Sequence, residues 1–322
     1  MVASFFVVTI CGQIISQNSD YLRLKAYRRG SVAKKTITFI DLFAGIGGFH
    51  LAFHNLGVKC VFVSEWDKAA RETYQKNFEK IQPDLFAPET INQTFAGDIT
   101  KVLPKSIPDF DIITGGFPCQ PFSQAGLKKG FNEARGTLFF DIANIIKEKQ
   151  PSVFFLENVR GLLTHDGGRT FATIRRILTE DLGYSFYYKV IKASDYGVPQ
   201  HRPRLFMVGF KNKSIKFEFP EPVKLAMTMD DVFEGKVNKA VGYTLRVGGR
   251  GSGIGDRRNW DTYLVDGEVR RLSPKEGLRM QGFPDDFEFP VSETQAMKQL
   301  GNSVAVPAIQ ATANEIMKRL KQ

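Results

Sequence analysis

The chain has 322 residues, 43% of them hydrophobic and 24% charged, which is typical of a soluble globular protein with one large domain or two unequal ones. Lys and Arg number 44 against 34 Asp and Glu, and the formal charge of +10 favours a polyanionic partner. Three widely spaced cysteines fit neither a disulfide framework nor a zinc site, and the four histidines form no H-x-x-x-H pattern, so we expect no metal and a reducing cytoplasm.

The N-terminal stretch carries an apolar patch at residues 5–10. No basic residue precedes this patch and it is too short to span a bilayer, so we expect neither a signal peptide nor a membrane partner. We interpret residues 1–35 as an extension outside the main fold, and favour an upstream start over an extra DNA-contacting arm.

The β-branched and apolar run at residues 36–43 predicts a buried strand. A glycine turn follows, and residues 49–56 then show helical spacing. Strand, glycine turn and helix together bring backbone N–H groups to a nucleotide-like ligand. Because the pattern is G-x-G-G and not G-x-G-x-x-G, it indicates a dinucleotide only weakly.

A second predicted strand, residues 58–64, ends in Glu65, Trp66 and Asp67. A carboxylate at this distance from the glycines can accept hydrogen bonds from ribose hydroxyls, and the indole offers a face for adenine. The alternative role for Glu65 is support of the predicted helix 68–78. Gly97-Asp98-Ile99 ends a third apolar segment and is a further candidate edge of this pocket.

Residues 110–114 predict a strand that leads into G-G-F-P-C-Q-P-F-S at 115–123. This places Cys119 at the carboxyl end of a strand, where open α/β sheets bind ligands. The thiol is then either a nucleophile at a cofactor cleft or a core cysteine. Residues 124–135 have the composition of a mobile, positively charged lid, and residues 137–149 predict a helix.

The apolar strand at residues 153–156 delivers Glu157 at its carboxyl end. An unpaired carboxylate there is costly, so a role in the site is favoured over a structural one. Arg202 and Arg204 precede the apolar run 205–210 and stand two apart in extended structure, so they project on one side and can clamp an anion. A solvated face is the alternative for that pair.

The alternation of strands and helices up to residue 210 predicts a parallel, doubly wound α/β sheet. Residues 211–266 predict a smaller irregular domain whose loop 244–258, here called the recognition loop, is rich in Gly and Arg. Because arginine can recognise guanine through two hydrogen bonds, this loop is predicted to contact DNA bases. The alternative is that the loop is flexible and solvated. Helices are predicted at 169–182, at 274–280 with Ser273 as N-cap, at 293–300 and at 307–320, with a turn at 301–304.

The ordered motifs carry a specific resemblance. F-x-D-L-F-A-G-I-G-G-F, E-W-D, G-D-I, G-G-F-P-C-Q-P-F-S, E-N-V, Q-H-R-P-R, R-L-S-x-x-E-x-x-R-M-Q-G-F-P and G-N-S-V follow one another along residues 36–320. In this order they resemble the DNA (cytosine-5)-methyltransferases. No counterpart is found for residues 1–35.

The resemblance implies a Rossmann-like S-adenosylmethionine domain with a mostly parallel, doubly wound sheet and a smaller, irregular, β-rich target-recognition domain. Residues 36–210 would form the catalytic and cofactor-binding domain, completed by 301–322. Residues 211–272 would form the target-recognition domain, and 273–300 a hinge. Double-stranded DNA would lie between the two domains.

The resemblance also implies the chemistry. Cys119 matches the nucleophile that adds to carbon 6 of a flipped-out cytosine, and Glu157 the carboxyl that engages N3 and the exocyclic amine. Asn158 would support Glu157, Arg202 would orient it, and Arg204 would contact the cytosine.

Fifteen residues match the family's cofactor pocket for S-adenosylmethionine, whose product is S-adenosylhomocysteine: Phe43, Ala44, Gly45, Ile46, Gly47, Gly48, Glu65, Trp66, Asp98, Ile99, Pro118, Leu138, Asn302, Ser303 and Val304. The candidate DNA contacts lie around Cys119 and in the recognition loop: Gln120, Ser123, Lys128, Lys129, Thr244, Arg246, Gly249, Arg250, Arg257 and Arg258.

A tRNA cytosine-5 methyltransferase of the related Dnmt type is the closest rival, but that branch typically has Thr in place of Ser123 and lacks such a Gly-Arg loop. A non-enzymatic DNA-binding module would not need Cys119 and Glu157 together, and a nicotinamide dehydrogenase leaves Cys119 unexplained. We expect a cytoplasmic, nucleoid-associated monomer that shares its target with a restriction endonuclease, if one is present.

Overall fold

The structure is a computed structural model that describes residues 36–118, 137–249 and 251–321. The strands within this part of the chain are Thr38–Leu42 (β1), Lys59–Ser64 (β2), Phe95–Ala96 (β3), Ile112–Gly116 (β4), Val153–Val159 (β5), Tyr187–Lys192 (β6), Pro203–Phe210 (β7), Thr262–Val265 (β8) and Glu268–Arg271 (β9). The α-helices described are Gly48–His54 (α1), Lys68–Phe78 (α2), Ile91–Thr94 (α3), Leu138–Lys149 (α4), Arg169–Arg176 (α5), Met229–Phe233 (α6), Pro274–Gln281 (α7), Glu293–Asn302 (α8) and Val306–Leu320 (α9).

The main sheet has the strand order β3-β2-β1-β4-β5-β7-β6. The pairs from β3 to β5 are parallel, whereas β7 runs antiparallel to both β5 and β6. The predicted mostly parallel α/β sheet is therefore confirmed. The reversal at β7 has a local cause: only a single 3-10 turn, Ala193–Tyr196, lies between β6 and β7, and a parallel return needs a longer crossover.

Both faces of the sheet are covered. Along β5, Val153 and Phe155 pack with α1, α2 and α9, while Phe154 and Leu156 pack on the other face with α4 and α5. This alternation follows from the two-residue period of a strand. It makes the apolar run V-F-F-L, which is hydrophobic on both sides, the centre of a doubly wound core.

Several element boundaries differ from the predictions; β4, for example, is Ile112–Gly116 where residues 110–114 were predicted. Helix α8 continues through Asn302, so the predicted turn at 301–304 starts two residues later. The predicted helix 169–182 is α-helical to Arg176 and then widens into the π-helical stretch Ile177–Asp181. Helix α7 begins as predicted, with Ser273 as N-cap, Pro274 in the first turn and a capping box closed by Glu276.

Residues 211–272 contain little regular structure where they are described. The short helix α6 and the antiparallel hairpin β8–β9 are the named elements between β7 and α7. Buried Trp260 donates from its indole N–H to the Gly248 carbonyl at 3.0 Å, which fixes one side of the recognition loop to this small layer. None of the described helices has the length and apolar character needed to cross a membrane.

Candidate active site

A cavity of about 550 Å³ opens at the carboxyl ends of β1, β2, β4 and β5. The order of the strands reverses between β1 and β4, which is where open α/β sheets bind ligands. Ten of the predicted cofactor residues line this cavity: Phe43, Gly45, Ile46, Glu65, Trp66, Asp98, Ile99, Pro118, Leu138 and Asn302. The volume is within the range of small-molecule sites, roughly 300–1,000 Å³.

The glycine turn after β1 is built on left-handed backbone. Phe43, Gly45 and Gly47 have φ values of 56°, 56° and 86°. A Cβ on Gly47 would lie 2.3 Å from the Phe78 ring, so a side chain there is excluded by both conformation and space. Ala44 joins the turn to β2 by donating its N–H to the Ser64 carbonyl at 3.1 Å.

Ser303 and Val304 lie behind this turn, outside the cavity lining. A Cβ on Gly48 would be 2.6 Å from Val304 Cγ2 and 3.4 Å from Ser303 Oγ. The C-terminal motif G-N-S-V therefore packs directly on the start of α1. Gly48 is required for this close approach, and not for an unusual φ angle.

Glu65 is tied to the glycine turn. Its Oε2 accepts from the Gly45 N–H and its Oε1 from the Asp67 N–H, both at 2.7 Å. Burial raises the pKa of Glu65, and these backbone hydrogen bonds oppose that rise. Each oxygen has a second lone pair available for a ribose hydroxyl. The alternative role in helix support belongs to Asp67, which is the N-cap of α2.

The rim of the cavity carries Trp66 and Asp98. The Trp66 side chain is 82% exposed, so one indole face is available for a planar ring. Asp98 Oδ1 accepts from the Thr100 hydroxyl at 2.7 Å and from its N–H at 3.0 Å, and these bonds lower the pKa of Asp98. A carboxylate held ionised beside an aromatic face suits an adenosine, with ribose hydroxyls or the adenine amine as donors.

Glu157 and Arg204 form an ion pair inside the same cavity. Arg204 Nε lies 3.0 Å from Glu157 Oε1, and the two residues are diagonal neighbours in the β5–β7 pairing, where Val159 faces Arg204. Glu157 is only 8% exposed. Burial raises the pKa of this carboxyl, and the charges of Arg204 and Arg202 oppose the rise.

Gly116 makes room for this carboxyl. It pairs with Glu157 across β4 and β5, and a Cβ on Gly116 would lie 3.2 Å from Glu157 Oε2. Asn158 acts next to it, donating from its side chain to the Phe117 carbonyl at 2.8 Å and accepting from the Val159 N–H. The amide of Asn158 thus holds the backbone two residues before Cys119.

Arg202 has different partners from those expected for a residue that orients Glu157. It donates to the backbone carbonyls of Leu245 at 3.0 Å, Gly301 at 2.9 Å and Ser303. The guanidinium that contacts Glu157 is that of Arg204. The orienting role expected for Arg202 is therefore wrong. The Arg202 side chain bonds to the main chain of two other segments, and Arg204 makes the ion pair with Glu157.

The candidate DNA contacts separate into two groups. Thr244 and Arg246 line the cavity, and Arg246 is exposed. Gly249 and Arg257 are exposed in the recognition loop outside the cavity lining. Arg258 is paired with Asp256 by two parallel bonds, including Nη2 to Oδ2 at 2.7 Å, so its guanidinium is already engaged within the loop.

Several predicted residues lie outside the described part of the chain. These are Cys119, Gln120, Ser123, Lys128, Lys129 and Arg250, together with the extension 1–35.

Other residues of the site were not predicted. Gln295, Lys298 and Gln299 of α8 also line the cavity, although sequence reasoning placed this helix in a hinge. Outside the cavity lining, Asp41 in β1 is fully buried; Thr114 Oγ1 donates to it at 3.2 Å, and burial raises its pKa to about 8. A carboxylate inside the apolar run F-I-D-L was the available signal for Asp41.

Fold and cavity together define an α/β protein with a nucleotide-type cofactor cleft at its topological switch point and a buried carboxylate–guanidinium pair beside it. The family model for C-5 cytosine-specific DNA methylase matches residues 37–247 and 241–318. The chain therefore belongs to this family, and it is a DNA (cytosine-5)-methyltransferase.

Named relatives agree. The chain is 46% identical over 319 residues to the Type II methyltransferase M.SsoII of Shigella sonnei, with 87% of this chain and 80% of that protein covered. It is 39% identical over 321 residues to the Type II methyltransferase M.HhaI of Haemophilus parahaemolyticus, with 87% and 94% covered. The Schizosaccharomyces pombe Dnmt2 methyltransferase structure shares the fold, with a TM-score of 0.68, 18% identity and coverage of 89% of this chain and 100% of that one.

Proposed function

We propose that the protein transfers a methyl group from S-adenosylmethionine to carbon 5 of a cytosine flipped out of a specific short duplex DNA sequence, through a covalent bond between Cys119 and carbon 6. The observation that carries this proposal is the Glu157–Arg204 pair, which shares one cavity with the Glu65–Asp98 rim. A base held at the pair and a cofactor held at the rim would then meet in a single space.

The residues at the rim fit the cofactor by their chemistry. Glu65 and Asp98 supply acceptors, Trp66 supplies an aromatic face, and the left-handed turn at Gly45 and Gly47 keeps side chains out of the way. When bound, S-adenosylmethionine would supply an electrophilic methyl group on a sulfonium. Ser303 and Val304 would support the turn from behind.

Cytosine is activated by addition. The Cys119 thiolate donates an electron pair to carbon 6, the 5,6 double bond opens, and the charge that reaches N3 is neutralised by hydrogen bonding or proton transfer from Glu157. Bound S-adenosylmethionine would supply the methyl group to carbon 5 and, with its methyl–sulfur bond broken, would leave as S-adenosylhomocysteine. Loss of the carbon 5 proton to water and expulsion of the thiolate restore the 5,6 double bond, and N3 returns any proton it received to Glu157, so the enzyme ends unchanged.

The environment of Glu157 supports this role. Because burial raises the pKa of Glu157 above its ordinary value, the protonated form is more populated near neutrality than in water, while Arg204 keeps the ionised form accessible. A carboxyl balanced in this way can give and take back a proton at N3. Arg204 lies beside it and can donate to the base.

Residues 211–272 are proposed as the target-recognition domain, 36–210 with 301–322 as the catalytic domain, and 273–300 as the hinge. Cavity-lining Thr244 and Arg246 are the best placed of the described candidates for DNA contact. Extrusion of the cytosine would cost on the order of a few kcal/mol. We place the protein at the nucleoid, as a monomer, with any cognate endonuclease reading the same target.

Substrate choice provides the test. Purified protein is incubated with tritium-labelled S-adenosylmethionine and, separately, mixed-sequence duplex DNA or total tRNA. We expect incorporation into duplex DNA, and its loss in Cys119→Ser with S-adenosylhomocysteine binding largely retained. Incorporation into tRNA alone would overturn the choice of substrate.

A further inference from the structure

A buried joint connects the recognition loop to the wall of the cofactor cavity. We define this Arg202 joint by four residues: Arg202 before β7, Leu245 at the start of the recognition loop, and Gly301 and Ser303 at the end of α8. These segments lie far apart in sequence. They meet within the span of one guanidinium.

Arg202 is 2% exposed and donates to three backbone carbonyls. Two of these carbonyls, Gly301 and Ser303, are at the carboxyl end of α8, where main-chain acceptors lack intrahelical partners and a positive charge is favourable. Burial lowers the pKa of Arg202 to about 9, and the nearby charge of Arg204 acts in the same direction. The planar fork of arginine can span acceptors on both segments at once.

The second half of the joint is a close backbone contact. A Cβ on Gly301 would lie 2.4 Å from the carbonyl carbon of Arg246 and 2.7 Å from the Val247 nitrogen. The end of α8 and the recognition loop therefore touch main chain to main chain. This contact depends on the absence of a side chain, and it is independent of the Arg202 charge.

Gln200 completes the attachment of Leu245. Its Oε1 accepts from the Leu245 N–H and its Nε2 donates to the Met280 carbonyl, both at 3.0 Å. The N–H of Leu245 is thus bonded to the Gln200 side chain, and the Leu245 carbonyl is bonded to the Arg202 side chain. These bonds fix the position of Leu245, where the recognition loop begins to line the cavity.

Both sides of the joint face the same cavity. Leu245, Arg246 and Val247 line it from the recognition side, and Gly301 with Asn302 from the cofactor side. We propose that Arg202 is a positioning residue that locks the recognition loop to the cofactor wall, so that an occupied cofactor cavity holds the loop in its DNA-binding geometry. This inference rests on the proposed function.

The test measures binding alone. The probe is a short fluorescent duplex chosen because the wild-type protein incorporates tritium into it. Its dissociation constant is determined by anisotropy with and without saturating S-adenosylhomocysteine, and the ratio of the two constants is the coupling factor. In the wild type we expect a factor of about five or more, typical of coupled sites. In Arg202→Met it should fall to within about twofold of one.

Gly301→Ala tests the joint by a second route. Alanine is the better helix former, so α8 is not weakened, but its Cβ displaces the recognition loop. We expect the same loss of coupling. Arg202→Lys, which keeps the charge and loses the fork, should show an intermediate factor. The matched control is Arg175→Met at an exposed arginine of α5, which should keep the wild-type factor.

The outcomes are separable. A wild type that methylates DNA but shows a factor near one would overturn the inference and leave the proposed function intact. A coupling factor equal to that of the wild type in either Arg202→Met or Gly301→Ala would also overturn the inference. This holds even if the variant has a lower melting temperature, because the joint would then contribute to stability and not to coupling. A wild type that neither binds S-adenosylhomocysteine nor methylates DNA would overturn the proposed function itself.

Discussion

At the scale of single residues, the site is defined by carboxyl groups whose environments differ. Asp98 is held ionised by Thr100, whereas burial raises the pKa of Glu157 against the pull of Arg204. Asp41, a neighbour outside the cavity lining, is the extreme case, with no exposure and a pKa raised to about 8. In the proposed function the two cavity acids would have opposite tasks: Asp98 would accept hydrogen bonds at the rim, and Glu157 would exchange a proton with the base.

Asp41 makes the stability of the protein depend on pH. Its folded-state pKa is raised, so its contribution to stability is fully present below the unfolded value of 3.8 and is lost as the pH rises towards 8. Asn at this position cannot ionise. We expect the free energy of unfolding of Asp41→Asn, measured relative to wild type, to be higher at pH 8 than at pH 5 by on the order of 4 kcal/mol.

Urea unfolding at the two pH values measures this difference, with Asp286→Asn as the control at an exposed carboxylate. A difference between Asp41→Asn and wild type that is the same at pH 5 and pH 8 would show that Asp41 does not titrate in this range.

The role of Glu157 was predicted from the sequence and that of Asp41 was not, although the same signal marks both residues. Each is a carboxylate in an apolar strand, and the cost of burying it indicates a special environment. For Arg202 and Arg204 the two-residue spacing predicted one common side, and both do line the cavity. Their separate partners could not be predicted, because Leu245 and Gly301 reach Arg202 only through the tertiary fold.

At the scale of elements, the turn between β1 and α1 positions the cofactor side of the cavity. Gly47 is needed for its left-handed backbone, and Gly48 for contact with Val304. Strand positions and the α7 cap could be read from periodicity and capping residues. The antiparallel direction of β7 could not be predicted in this way. The alternation of strands and helices does not show that the connection between β6 and β7 is too short for a parallel crossover.

The contact between Gly48 and Val304 can be tested by a double-mutant cycle. Gly48→Ala places a Cβ 2.6 Å from Val304 Cγ2, and such overpacking costs about 1–3 kcal/mol. Val304→Ala removes the opposing methyl groups. We expect the double variant to lose less stability in urea unfolding than the sum of the single variants, and to bind S-adenosylhomocysteine better than Gly48→Ala alone.

Gly161→Ala is the matched control, since a Cβ there meets nothing within 4 Å. Strict additivity in the cycle would mean that the two side chains do not compete for the same space.

At the scale of the whole molecule, chain segments distant in sequence enclose one cavity. The end of α8 completes a pocket begun at β1, and the recognition loop forms its other wall. The ordered motifs made this closure predictable by resemblance, whereas composition and periodicity did not. The +10 charge agrees with a polyanionic substrate, and salt dependence of binding should follow from it.

Trapping of the covalent step tests the central claim most directly. Mixed-sequence duplex DNA synthesised with 5-fluorocytosine can accept the thiolate and the methyl group but cannot lose a proton from carbon 5, so the adduct persists. With S-adenosylmethionine present, we predict a denaturant-stable protein–DNA complex joined at Cys119 and absent in Cys119→Ser. Methylation of ordinary duplex DNA without any trapped complex on the fluorinated duplex would contradict the account.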